Sequence, residues 1–213
     1  MTATTTTQIP SAPYDHNIYH IATKPSLHEA TATFASRNVQ HYINTVIRDC
    51  FLKHQVHKLF SVCLLHRHFD LGPNERNIEE KGQATASTDW DNTHACSWLY
   101  HNGSLFPYEF KRGMVALPTP PGDFVTELGV ILQEHGLCDI IGLQVYEYGV
   151  VGMESTDHGK RISNRVTYKS QNTIYVVIGV TKRTSGTKIL IQNPDAADQI
   201  YEVKMDDLCL ASS

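Results

Sequence analysis

No run of five or six lysines or arginines occurs in the 213 residues; the basic pairs Lys160-Arg161 and Lys182-Arg183 stand alone, and the formal charge is -4. A nucleic-acid partner is therefore not expected, because phosphate binding needs a basic footprint. Uninterrupted apolar runs reach only about five residues, against the roughly 20 needed to span a bilayer, so no membrane crossing is expected either. The first residues, Met1 to Pro10, are rich in threonine and lack both the basic and the apolar stretch of a secretory signal, which points to a cytoplasmic protein. The five cysteines are odd in number, widely spaced and without a Cys-x-x-Cys, a pattern that argues against a disulfide framework and a thiolate zinc site. There is no Gly-x-Ser-x-Gly elbow and no Gly-x-Gly-x-x-Gly turn. Between Gly152 and Lys160 the glycines are too far apart for a phosphate loop, and Arg161 stands where that loop needs Ser or Thr.

What is present is enough for a core. Apolar residues make up 41% and charged ones 19%, and a chain of this length buries roughly 70% of its surface on folding. Residues 1–34 carry Thr and Pro punctuation without a period and read as a mobile N-terminal arm; residues 35–213 read as a single domain. Val39, Ile43, Val46, Ile47, Cys50 and Phe51 recur at helical spacing and predict an amphipathic helix ending near His54. Leu59 to Phe69 and Glu75 to Ala86 predict a first hairpin around Gly72-Pro73-Asn74. Asn102-Gly103 predicts a second, with a type I′ turn, and Pro107 marks its strand as an edge or a bulge. A helix is expected from Asp123 to His135 and stopped by Gly136, then a strand over Ile140 to Tyr148, a loop over 149–165, a strand over Thr173 to Thr181 and a hairpin through Ser185-Gly186 into Lys188 to Gln192. The sum is an α+β fold, an antiparallel sheet built from hairpins and packed by two main helices.

Chemistry concentrates in Leu64-Leu65-His66-Arg67-His68-Phe69-Asp70. On a strand, His66 and His68 share a face, and the register of the first hairpin sets Glu79 beside them, with Glu80 as the alternative after a one-residue slip. Two histidines and one carboxylate suit a divalent iron, manganese or zinc ion; without metal, either histidine oriented by Asp70 or Glu79 can move protons on a small-molecule ligand. His101 and Glu109 are further candidate ligands on the second hairpin. Asp157 to Arg161 is a polar loop suited to an anionic substrate, Cys63 a candidate nucleophile, and Tyr146, Glu147 and Tyr148 a candidate pocket rim. The competing reading is a non-catalytic ligand-binding or interaction protein with structural histidines; oligomeric state is not legible.

The segment Leu64 to Leu71, together with Pro107-Tyr108-Glu109-Phe110, Gly136-Leu137 and Ile141-Gly142-Leu143, resembles a group of small fungal proteins of unassigned function, some found near natural-product gene clusters. The resemblance covers roughly residues 59–148. It implies a fungal intracellular protein with a role in specialised metabolism and brings no catalytic residue with it.

Overall fold

The computed structural model describes residues 13–21, 24–113, 118–146, 150–157, 159–169, 188–192 and 200–204. Within the segment expected to be an arm lie helix α1, His16–Ile21, and helix α2, Leu27–Ser36. Helix α2 starts at a capping box: Glu29 N–H donates to Ser26 Oγ, and Ser26 N–H donates to Glu29 Oε2. Two orphan amides of the first turn are thereby satisfied. Ala30 and Phe34, four residues apart, sink into the core, so the expected arm boundary at residue 34 falls inside a packed helix.

Asn38, in the left-handed region at φ 51°, separates α2 from the next helical stretch. That stretch is α3, Val39–Tyr42, a π-helical turn over Ile43–Ile47, and α4, Arg48–Lys53. Val39, Ile43, Ile47, Cys50 and Phe51 are buried as their spacing predicts, whereas Val46 is exposed. Helix α5, Gly122–Glu134, is followed by Gly136 at φ 63°, the left-handed residue that closes it.

Eight strands form one sheet: β1 Phe60–Leu64, β2 Arg76–Glu80, β3 Gln83–Ser87, β4 Thr93–His101, β5 Ser104–Arg112, β6 Ile141–Val145, β7 Val150–Asp157 and β8 Ile162–Lys169, in the order β1-β6-β4-β5-β2-β3-β8-β7. A separate pair, β9 Lys188–Gln192 and β10 Ile200–Lys204, runs antiparallel. The α+β class holds, but the sheet is mixed, because β2 lies parallel to β5 with Ile78 beside Phe110 and Glu79 beside Lys111. The expected first hairpin does not form. β1 pairs with β6 (Val62 opposite Leu143), and β2 turns instead through Lys81-Gly82, both at positive φ, into β3. A buried partner for the largely apolar, buried β1 wins over the nearer, polar one. In place of the loop expected over 149–165 stands the β7–β8 hairpin, whose second strand runs on to Lys169. The expected strand over Thr173 to Thr181 and the Ser185-Gly186 turn lie outside the described residues.

Alternation along the central strands divides the interior in two. Val62, Leu64, Trp98, Tyr100 and Leu143 face helices α2 to α5 in the main core. Leu99, Tyr108 and the half-buried Cys63 and Phe106 face the other way, where Tyr19 of α1 and the loop residues Leu65, Phe69 and Leu71 cover them.

Candidate functional site

The turn Asn102-Gly103 has φ 46° and 82°, the type I′ signature. Down its two strands the register slips twice. Trp98 faces Pro107 and Ser97 faces Glu109, which leaves Tyr108 as an extra residue; Ser97 to Ala95 then skips Cys96. The bulge expected at Pro107 is there, though β5 is interior to the sheet rather than at an edge. An extra residue sends two successive side chains to one face, so Tyr108 and Glu109 both point at the loop that follows β1.

That loop carries the histidines. His66 and His68 lie beyond the end of β1, not on it, and both are buried, His68 at 2% exposure. Their ring centroids are 4.4 Å apart. Tyr108 Oη donates to the carbonyl of His66, Tyr19 Oη donates to the carbonyl of Phe69 at 3.3 Å, and the two tyrosine rings stack at 5.3 Å. His66 Nδ1 sits 3.0 Å from the Leu64 carbonyl. His68 Nε2 lies 2.5 Å from Glu109 Oε1, which also accepts from Asn77 Nδ2 at 3.3 Å, and Ser97 Oγ donates to Glu109 Oε2 at 3.0 Å.

Sequence spacing thus brings His66 and His68 together, by a route other than the expected one. Glu79 shares with His68, Asn77, Cys96, Glu109 and Ser163 the lining of a narrow cleft, but its carboxylate is paired with Lys111 at 3.1 Å. The carboxylate that meets His68 is Glu109. The cavity there is about 10 Å³, room for a single water. Asp70 is exposed and bridges to Arg67 at 3.2 Å rather than to a histidine. His101 packs on Phe106 and is not in the cleft lining. Arg161, expected to meet an anionic substrate, binds Glu75 and the Asp70 carbonyl.

Among the described residues, the one grouping of three metal-type ligands within 4.8 Å is Cys50, His54 and Glu127, not His66, His68 and Glu79. Glu127 Oε2 already receives Lys53 Nζ at 2.7 Å and His54 Nε2 at 2.8 Å. Burial, with the Glu127 carboxylate adding to it, pushes the Cys50 thiol up to about 12, so Cys50 stays a thiol, while Lys53 and His54 tie the end of α4 to Glu127 of α5.

A roomier space lies on the far side of Leu65. Lys24 and Pro25, Ala30 and Thr33 of α2, Leu65, Asp139 and Ile140 line a half-open cavity of about 290 Å³. Its walls are fixed by backbone bonds: Arg67 N–H donates to the Pro25 carbonyl, and Leu65 N–H to that of Ile140. Lys24 is 4% exposed, and burial pushes its ammonium down to about 8, with Asp139 and Cys63 pulling weakly the other way. Compared with known families, curated proteins and solved structures, the chain matches none. The sequence reading missed Lys24. The Ser26-x-x-Glu29 box and the Ala30/Phe34 pair, both legible, would have placed a helix just after it.

Proposed function

We propose that the protein binds a small organic molecule in the cavity beside α2, with the histidine pair acting as a structural network that holds the cavity wall. The observation that carries the reading is the contrast in space: about 290 Å³ around Lys24 against about 10 Å³ beside His68. A ligand needs the first volume, and the second takes a water. The loop that bears the histidines also supplies Leu65 to the cavity wall, so the buried network and the cavity are mechanically one unit.

Chemical-shift mapping with benzyl alcohol tests this. Amide shifts are expected to cluster on Ala30, Thr33, Leu65 and Ile140, and Thr33→Trp, which fills the space, is expected to abolish them while the fold persists by circular dichroism. Scattered shifts, or shifts indifferent to Thr33→Trp, overturn the reading.

A second reading, enzymatic proton transfer, draws on the 2.5 Å contact between His68 and Glu109. There His68 is the base and Glu109 its orienting carboxylate, acting on a water or one small group in the cleft. It predicts activity that His68→Asn removes; unchanged turnover in that variant eliminates it. A divalent metal held by His66, His68 and Glu79 would require Glu79 to leave Lys111.

A further inference from the structure

We propose that Lys24 is a carbonyl-capture site, whose side-chain amine condenses with a small neutral aldehyde or ketone seated in the cavity beside α2. The inference rests on that cavity being the ligand site and adds the chemistry of the ligand.

Lys24 lines the cavity, is 4% exposed, and makes no hydrogen bond or ion pair among the described residues. A largely buried amine that no carboxylate pairs with among the described residues gives up its proton more readily than an exposed one, and the neutral form carries the lone pair. With the ammonium lowered to about 8, about a tenth of it is neutral near pH 7, compared with a few parts in ten thousand, roughly, for an ordinary lysine. The walls decide the partner. Pro25, Ala30, Leu65 and Ile140 are apolar, which suits a hydrocarbon or a single ring. Asp139, exposed at the rim, repels an incoming carboxylate or phosphate, so a neutral carbonyl compound is the class admitted.

The chemistry balances without a further reactant. The Lys24 nitrogen pair bonds to the carbonyl carbon, and the C=O π pair moves to oxygen, which takes a proton while nitrogen gives one up. The resulting carbinolamine takes a second proton at its hydroxyl and loses water; the nitrogen lone pair forms the C=N bond. Asp139 is the titratable group placed to pass these protons, and Cys63 is the other group whose charge Lys24 senses.

The test incubates the full-length protein with benzaldehyde and sodium cyanoborohydride and maps benzylated lysines by peptide mass. Lys24 is expected to label at least about tenfold faster than the exposed Lys53 and Lys160, because its larger neutral fraction outweighs the lower nucleophilicity of a less basic amine. Excess benzyl alcohol and Thr33→Trp should each slow Lys24 alone. Labelling of Lys24 no faster than Lys53 and Lys160 overturns the inference. If benzyl alcohol still shifts the cavity amides in that case, ligand binding stands and only the imine falls; if neither compound touches the cavity, both fall.

Discussion

Glu109 gathers three donors, from His68, Asn77 and Ser97, onto one half-buried carboxylate whose side chain is 14% exposed. Removing it leaves three polar groups facing a space with room for one water. Glu109→Ala is therefore expected to cost roughly 2–4 kcal/mol in urea denaturation, and Glu109→Gln, which keeps one acceptor, clearly less. Lys24 works in the opposite direction. Its ammonium is depressed to about 8 in the fold from an ordinary 10.5, so the unfolded chain binds more protons than the folded one between those pH values. Folding bears the full penalty below pH 8 and sheds it as pH rises to 10.5. Lys24→Met should thus stabilise the protein by roughly 1–3 kcal/mol at pH 7, a gain that shrinks through that window in paired denaturation curves. Asp139 and Cys63, the titratable groups near Lys24, soften the effect without reversing it.

Two glycines show how elements are held by different constraints. A Cβ at Gly129 of α5 would fall 2.2 Å from the ring of Tyr100, so this glycine sets how closely the helix approaches β4. Gly129→Ala is expected to cost about 1–3 kcal/mol or more by overpacking, and pairing it with Tyr100→Leu should recover part of the loss in a double-mutant cycle. At Gly103 the added atom meets nothing within 4 Å, but φ is +82°. Gly103→Ala should cost about 1 kcal/mol through backbone strain alone, with no partner mutation able to rescue it.

Across the whole molecule, Arg161 ties the end of the β7–β8 hairpin to the turn before β2, through Glu75 and the carbonyl of Asp70. The Arg161 guanidinium and the Gly72 amide hold the Glu75 carboxyl below its usual 4.5. A depressed carboxylate adds stability above its ordinary value and loses it as pH falls through the lowered one. Because Arg161 is 40% exposed, solvent screening limits the contribution. Arg161→Ala is expected to cost at most about 1 kcal/mol at pH 7 and nothing once Glu75 is protonated well below pH 4.5, as thermal melts at the two pH values would register. No helix among the described residues is long and apolar enough to cross a membrane, in keeping with the short apolar runs.

The local features were written in the residues. The stripe from Val39 to Phe51 fixed a helix, Asn102-Gly103 fixed a type I′ turn, Gly136 fixed a helix end, and Pro107 marked a bulge, because each depends on chemistry a few residues wide. The pairing of His66 with His68 was equally local. Which carboxylate meets them was not. Strand partners are chosen by the burial of whole faces, so β1 goes to β6 across about 80 residues of chain instead of to its neighbour β2, and that choice replaces Glu79 with Glu109. Lys24 is the extreme case. Its sequence surroundings resemble an exposed lysine beside a proline, and only the packing of α2, the loop at Leu65 and the approach to β6 removes water from its ammonium, since desolvation is a property of the enclosing walls and not of the residue.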